Sequence, residues 1–461
     1  MNLRAAACDV RWSLWWIALI AVPAHVLLLM GLPIHPWLVP LAGLGAAALQ
    51  RPAGPRFDHP AVLGVVAVAT LAIAYGSLAT ADRSWDGLAT WTANARWLAV
   101  DGSLEQPYFR DPDVFHYARG YPLLQPILLA LGMTWFGELG GRVLFPLLWL
   151  LLVTGLDAPL ARAGLDPKPR RLAVLGLALV PIFIEPGGGG AASGFADLLV
   201  AGLVLHAAVA LAEDRPALAT VTGLLLPMAK TEGLVHVLIL LGLAALAGRR
   251  QAAIGTALGA ALGLALSVPL QQQIRSPDVA LGWASLLPAT LPFAVLGLGL
   301  ALHARRTRRL ALVATLVAPA CLLWIGAFDR TVLGQTLQNL ARLDLAFEEL
   351  PAIAGQGVLT LVQVRKLGLT FVLAAATVVV VSRRCGLGSL RPLLAALLLA
   401  GTAILLFLAD RPPEAIDLFL REGMVRYTAQ WTGVAWLLIG LGWARLAAHP
   451  GPVSLRTPAP R

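Results

Sequence analysis

Residues 216–247 read PALATVTGLLLPMAKTEGLVHVLILLGLAALA, and this stretch decides the fold. Two apolar runs, 216–229 and 233–247, are separated by only three residues. Runs of this kind recur along nearly the whole chain, near the length of about 17 to 25 residues that crosses the hydrocarbon core of a bilayer. The sequence therefore predicts a protein that crosses a membrane many times.

The apolar runs extend this prediction to the whole chain. We predict an all-α polytopic bundle of about 12 to 14 transmembrane helices, with residues 1–461 forming a single integral membrane domain. The predicted spans are 12–31, 36–50, 60–80, 139–161, 172–184, 196–212, 216–229, 233–247, 251–269, 284–302, 310–327, 367–382, 392–409 and 430–446.

Composition excludes other classes of protein. The chain is 58% hydrophobic and 13% charged, whereas an ordinary soluble protein is about a quarter charged. The formal net charge is +10, but the cations lie between apolar runs rather than in one soluble basic patch, which argues against nucleic acid as a partner. Three scattered cysteines are too few for a disulfide framework.

The distribution of charge predicts the topology. Short loops rich in Lys and Arg lie on the cytoplasmic side of a membrane, and alternating the predicted spans from a cytoplasmic N-terminus puts the basic clusters inside. We therefore expect an inner or plasma membrane protein with both termini in the cytoplasm. The two long segments between spans, 81–138 and 328–366, then lie outside, and long loops are commonly functional. The active site is expected to be extracytoplasmic.

The first outer loop, 81–138, contains two predicted helices. Apolar residues recur at helical spacing from Trp85 to Ala99, and Asp101-Gly102 follows as a stop, which indicates an amphipathic helix on the membrane surface. A second apolar stretch, 121–136, is interpreted as an interfacial or re-entrant helix, because a full span there would invert the charge pattern downstream.

Acidic residues of this loop have two interpretations each. Asp86 lies at the membrane interface and suits a general base, but Asp is also a favoured helix N-cap. Asp111 and Asp113 flank a proline and are candidate ligands of a divalent metal ion, although ordinary turn chemistry is the favoured explanation of the pair. A divalent cation is therefore an open question, and no other cofactor is expected.

Further polar residues near predicted outer helix ends are candidate substrate ligands. An ionisable group at a membrane span is costly and is a functional candidate by default, and the planar fork of Arg suits phosphate. The alternative interpretation of these residues is structural. They would then form ion pairs, or extend their charged ends to the membrane–water interface. The candidates are Arg96, His116, Arg119, Tyr121, Asp197, Lys230, Glu232, Arg426 and Gln430.

Five short segments resemble the GT-C superfamily of membrane glycosyltransferases, which use polyprenyl-phosphate sugars on the outer membrane face. The chain resembles the members of this superfamily that are related to the protein mannosyltransferase and aminoarabinose transferase type. The segments are Trp85-Asp86-Gly87-Leu88-Ala89-Thr90-Trp91 with Asn94 and Arg96, Tyr121-Pro122-Leu123-Leu124-Gln125-Pro126, Gly194-Phe195-Ala196-Asp197, Lys230-Thr231-Glu232-Gly233 and Arg426-Tyr427-Thr428-Ala429-Gln430.

The resemblance implies roles for particular residues. Asp86 corresponds to the catalytic base of the first outer loop, and Lys230 and Arg426 to the basic residues that bind the lipid phosphate. Asn94 stands where a Lys is expected, which leaves Arg96 as the nearest cation of the surface helix. The resemblance also implies inversion at the anomeric carbon.

The sequence thus predicts a glycosyltransferase that moves a hexosyl or pentosyl group from a polyprenyl-phosphate donor to an acceptor hydroxyl. The expected partners are this donor, a lipid-linked glycan, lipid or protein acceptor, and the membrane lipids. An O-antigen ligase or polysaccharide polymerase is a close alternative, and a secondary transporter or lipid flippase a more distant one. A transporter would place ionisable groups near mid-membrane and show internal repeats.

Overall fold

The computed structural model describes residues 10–50, 59–79, 87–111, 113–114, 120–185, 193–275, 290, 293, 349–409 and 423–449. Throughout these ranges the regular structure is helical, without a β-strand. The α-helices are α1 (Trp12–Leu29), α2 (Leu38–Leu49), α3 (Pro60–Ala79), α4 (Ala93–Asp101), α5 (Pro107–Arg110), α6 (Leu124–Arg142), α7 (Leu144–Arg162), α8 (Pro167–Ala178), α9 (Pro181–Ile184), α10 (Asp197–Glu213), α11 (Pro216–Ala229), α12 (Gly233–Leu246), α13 (Arg250–Arg275), α14 (Leu350–Leu361), α15 (Val364–Leu367), α16 (Thr370–Cys385), α17 (Arg391–Ala409), α18 (Met424–Ala429) and α19 (Thr432–Ala448).

Six helical segments in the described ranges are long and apolar enough to cross a membrane, and several shorter apolar helices accompany them. The six are Trp12–Leu29, Pro60–Ala79, Leu144–Arg162, Arg250–Ile274, Gly388–Leu408 and Met424–Ala448. The chain is therefore an integral membrane protein with an all-α, polytopic bundle, as its apolar runs predict.

Most predicted spans correspond to helices within a few residues. The span predicted at 284–302 lies outside the described residues apart from 290 and 293, and the span predicted at 310–327 lies outside them entirely. Residues 328–348 of the predicted outer loop 328–366 are also outside them. The span predicted at 172–184 is instead divided into α8 and α9. Pro181 explains the break, because proline lacks an N–H group and disfavours helical backbone at the preceding residue, and Val180 is extended at φ −63° and ψ 115°.

The helix predicted at 121–136 is present as the first part of α6. At Phe136 and Gly137 the backbone leaves the helical conformation, and Gly137 has φ +65°, which favours glycine. The chain reverses there so sharply that a Cβ on Gly140 would overlap the carbonyl oxygen of Gly132. The helix before this reversal is about 12 residues long, which is short for a complete crossing.

Helices α11 and α13 pack with their backbones in close contact. Gly255, Gly259 and Gly263 lie four residues apart on α13, and a Cβ on any of them would overlap a carbonyl oxygen of α11. In membranes small residues at this spacing allow helices to approach closely, because packing and not hydrophobicity drives their association. These glycines therefore allow the backbones of α11 and α13 to touch.

Helix α10 lies in the middle of the bundle. Its side chains from Asp197 to Leu211 are buried, and it contacts α7, α11, α12 and α19. At a rise of 1.5 Å per residue its two ends, Asp197 and Glu213, are about 24 Å apart. The bundle thus presents different residues of one buried helix at its two ends.

Candidate functional site

Asp197, the first residue of α10, lies at the centre of a polar cluster. Its Oδ1 accepts hydrogen bonds from Lys230 Nζ at 3.0 Å and from Gln430 Nε2 at 2.6 Å. Its Oδ2 accepts a hydrogen bond from Arg426 Nε at 2.9 Å. The Asp197 side chain is 1% exposed, so these donors take the place of water around its charge.

Lys230 and Glu232 come from the short connection between α11 and α12. Lys230 is extended, at φ −160° and ψ 152°, and this ends α11. Its Nζ lies 3.5 Å from Glu232 Oε1, and Thr231 donates a hydrogen bond to Glu232 Oε2 at 3.0 Å. Burial raises the pKa of the Glu232 carboxyl and the Lys230 ammonium lowers it, with a net pKa below the ordinary value.

Arg426 is in α18 and Gln430 follows this helix, four residues later. This spacing puts both side chains on the face toward Asp197.

The two cations of the cluster, Arg426 and Lys230, each lie against an aromatic ring. The Arg426 guanidinium carbon lies 3.4 Å from the centre of the Phe195 ring, and Lys230 Nζ lies 5.0 Å from that of Tyr427. Such cation–π contacts stabilise a charge where water is scarce.

His236 belongs to this cluster although the sequence analysis did not single it out. Its Nε2 lies 2.7 Å from Gln430 Oε1, and its ring packs edge to face on Trp431. Since Gln430 donates its Nε2 to Asp197, its oxygen must accept, so His236 Nε2 carries the hydrogen. The sequence does contain a signal that could have identified His236. It follows Glu232 by four residues, which is about one turn of helix and puts both side chains on the same face.

The other segments of the GT-C resemblance adjoin the Asp197 cluster through two contacts. Gln125 is completely buried and donates a hydrogen bond to the carbonyl of Gly194 at 2.8 Å, three residues before Asp197. Trp91 packs edge to face on Tyr121, with ring centres 5.6 Å apart. Through these contacts the surface-helix segment meets the start of α6, and α6 meets the start of α10.

The charges of the cluster balance. Lys230 and Arg426 are opposed by Asp197 and Glu232, so the four ionised groups sum to zero. With hydrogen bonds at both of its oxygens from three donors, Asp197 is an ionised group that orients the donors around it, and it is poorly suited to remove a proton from a substrate. The arrangement can hold two cationic side chains in fixed positions at one end of the bundle.

The remaining candidates of the first outer loop have other positions. The Arg96 guanidinium lies 2.6 Å from Glu138, and both side chains are well exposed, so this ion pair draws Arg96 toward α6 and not toward Asp197. Asp111 Oδ1 accepts a hydrogen bond from the backbone N–H of Asp113 at 2.9 Å, which is the turn geometry that short acidic side chains favour. The described ranges contain no group of three or more His, Cys, Asp or Glu residues that could hold a metal ion.

Three candidates, Asp86, His116 and Arg119, lie outside the described residues. The described chain resumes at Gly87 with a π-helical turn, Gly87–Thr92, which leads into α4. A π-helical turn is rare and is frequently found at functional sites. The residue next to Asp86 therefore begins an unusual piece of backbone.

Three solved structures match the chain, all of an oligosaccharyltransferase from Archaeoglobus fulgidus. The archaeal oligosaccharyltransferase AglB in complex with an inhibitory peptide and a dolichol-phosphate is 14% identical at a TM-score of 0.47, over 84% of this chain and 50% of that one. The apo form is 16% identical at 0.47 over the same shares, and a complex with Zn and sulfate is 15% identical at 0.42, over 82% and 48%.

The chain thus spans about half the length of the structures it matches. No protein-family model matches its sequence, and no curated protein matches it significantly. Function has to be inferred from the residues of this chain.

Proposed function

We propose that the chain is a membrane glycosyltransferase of the GT-C type. It transfers a sugar from a polyprenyl-phosphate donor to a hydroxyl group of a lipid-linked glycan, lipid or protein acceptor on the extracytoplasmic face. Asp86 is the base, and the cluster around Asp197 holds the cations that face the donor phosphate.

One observation carries the proposal, and it is the convergence of the five segments that resemble this superfamily. Trp91 contacts Tyr121, Gln125 bonds to Gly194, and Asp197 bonds to Lys230, Arg426 and Gln430. The segments are far apart in sequence, so their contact requires the tertiary fold. A set of unrelated loop and span-end residues has no reason to meet at one end of a bundle.

The proposed reaction is a single displacement at the anomeric carbon. The acceptor oxygen forms a bond to this carbon as the bond to the phosphate oxygen breaks, and the phosphate leaves with the electron pair. Asp86 takes the proton of the attacking hydroxyl. Lys230 and Arg426, oriented by Asp197, stabilise the charge that develops on the leaving phosphate. Attack opposite the leaving group inverts the configuration.

The position of the charged residues favours this reaction over transport. Asp197 is the first residue of α10, Lys230 follows α11, and Gln430 precedes α19. A secondary transporter is expected to bind its substrate near the middle of the membrane on interrupted helices, whereas these residues lie at helix ends. An enzyme that takes a lipid-linked substrate needs its polar groups at the membrane surface.

The experiment is a transfer assay with the full chain reconstituted in lipid nanodiscs. Radiolabelled sugars on polyprenyl mono- and diphosphate carriers are incubated with membrane acceptors, for the parent protein and for Asp86→Asn. We expect transfer from a monophosphate donor, and a rate about a hundred to ten thousandfold lower in Asp86→Asn, because Asn cannot accept the proton. Since Asn caps a helix about as well as Asp, folding and donor binding should be retained.

Three outcomes would count against the proposal. Transfer only from diphosphate carriers would favour a ligase or polymerase, and no transfer from any donor would remove the enzymatic function. Full activity in Asp86→Asn would mean that the base is another residue.

A further inference from the structure

A second polar site lies at the end of the bundle opposite Asp197. A cavity of about 630 Å³ is present where α7 and α10 end and α11 begins. Glu213, the last residue of α10, lines it, and the length of α10 separates it from Asp197 by about 24 Å. The cavity is therefore distinct from the proposed sugar-transfer site. Its polar wall is formed by Arg162, Glu213, Arg215 and Ser389.

The polar wall carries a net positive charge. Arg162 donates from Nε to Glu213 Oε1 at 3.1 Å and from Nη2 to Oε2 at 2.9 Å, and Arg215 Nη1 lies 3.2 Å from the same Oε2. Both guanidinium groups thus pair with the Glu213 carboxylate. The Arg11 guanidinium is close enough to Arg162, Asp157 and Arg215 to be repelled by the two arginines and attracted by the carboxylate. Among the residues that line the cavity, Arg162 and Arg215 are cationic and Glu213 is anionic, so the lining attracts an anion.

The geometry leaves Arg162 able to bind such an anion. A guanidinium has five N–H groups. Two of those of Arg162 face Glu213 in their ion pair. Its side chain is 48% exposed, so the remaining donors are accessible to a ligand. Arg162 lies at the C-terminus of α7, where a helix attracts a cation. This attraction explains one basic side chain, but it does not explain why a cavity lies beside both Arg162 and Arg215.

The other residues that line the cavity are apolar. They are Pro159 and Ala163 of α7, Ala212 of α10, and Leu437 and Leu441 of α19. A small soluble anion would gain little from these side chains, whereas the glycerol backbone and upper acyl chain of a lipid would be buried against accessible ones such as Ala163 and Leu441. Charged and aliphatic side chains in one lining match an anionic phospholipid.

We propose that this cavity binds the phosphate ester of an anionic phospholipid, with Arg162 and Arg215 as the phosphate ligands and Ala163 and Leu441 against the apolar part. Phosphate suits these residues because a guanidinium gives parallel, charge-assisted hydrogen bonds to its oxygens. Binding at this end would order the C-terminus of α10 and the start of α11. This inference is independent of the sugar-transfer proposal.

Native mass spectrometry of the full chain in detergent tests the proposal. The probes are phosphatidylglycerol, phosphatidylcholine and soluble glycerol phosphate. We expect phosphatidylglycerol to bind more tightly than phosphatidylcholine, and its affinity to fall about ten- to a hundredfold in Arg162→Gln. Ala163→Trp, at an exposed position of the rim, should fill the cavity and weaken binding without removing a charge. Lys168→Gln, an exposed cation outside the cavity, is the matched control and should bind as the parent does.

The outcomes separate the sources of the phosphate. Loss of phosphatidylglycerol binding in both cavity variants and not in Lys168→Gln supports the proposal. Binding of glycerol phosphate in place of the lipid would overturn the assignment to a lipid. Equal affinity for both lipids, or unchanged affinity in Arg162→Gln and Ala163→Trp, would overturn the site.

Discussion

At Asp197 the buried carboxylate and its three donors form one electrostatic unit. Asp197 is an ion-pair partner of both Lys230 and Arg426, and Glu232 is a second partner of Lys230. Removing one member of a buried ion pair leaves the other charge uncompensated, which costs about 3 to 5 kcal/mol. The loss of stability on substitution should therefore differ between members of the cluster.

We predict that Asp197→Asn destabilises the protein more than Lys230→Met. The first change removes the buried carboxylate that Lys230 and Arg426 share, whereas the second leaves Asp197 paired with Arg426. Thermal unfolding in detergent, followed by tryptophan fluorescence, measures the difference in Tm. The double variant Asp197→Asn with Lys230→Met should recover part of the loss, because it removes one charge of each sign.

Equal Tm values for the two single variants, or a double variant that is merely additive, would show that the charges act independently. The surface pair of Arg96 and Glu138 provides the control. Arg96→Gln should change Tm little, since exposed ion pairs contribute about 0 to 1 kcal/mol.

At this scale the sequence predicts which residues are unusual but not which of them meet. An ionisable group beside an apolar run is conspicuous, so Asp197, Lys230 and Arg426 could be selected individually. Their contact joins positions 33 and 229 residues apart, and no local pattern encodes such a distance. His236 was missed for the same reason, because its partner Gln430 lies 194 residues away.

At the scale of the elements, apolar length and proline predict most helices well. Helix α11 has the predicted bounds because Pro216 begins it and the polar Lys230 follows it. The break between α8 and α9 was missed because the apolar run continues through it, and hydropathy does not register a missing backbone N–H group. The reversal of α6 at Gly137 likewise depends on a backbone angle and not on polarity.

The contact of α11 with α13 gives the prediction at this scale. Gly259→Val should lower Tm markedly, since its Cβ would overlap the Thr220 carbonyl oxygen and overpacking costs about 1 to 3 kcal/mol. The matched control is Gly64→Ala in α3, where no atom lies within 4 Å of the new Cβ. It should leave Tm unchanged or slightly raised, because alanine favours helix over glycine. A tolerated Gly259→Val would show that α11 and α13 can separate freely.

For the whole molecule, the main open prediction is the orientation of the bundle. Charge predicts that the loop at Gly102 is outside and that Gly164, between α7 and α8, is inside. Reporter fusions truncated after each residue should therefore report opposite compartments. Agreement between them would mean that α6 crosses the membrane as well as α7, despite its reversal at Gly137, and the predicted sidedness of later loops would change.

The partners of Asp197 also imply an order of assembly during synthesis. Lys230 follows Asp197 by 33 residues and Gln430 follows it by 233. As the nascent chain enters the bilayer, the carboxylate can meet Lys230 as soon as α10 and α11 have been inserted. Arg426 and Gln430 leave the ribosome much later than Lys230. Lys230 can thus serve as the early counter-ion that makes an acidic residue tolerable in an unfinished membrane protein, and the site is completed only after α18 and Gln430 have been synthesised.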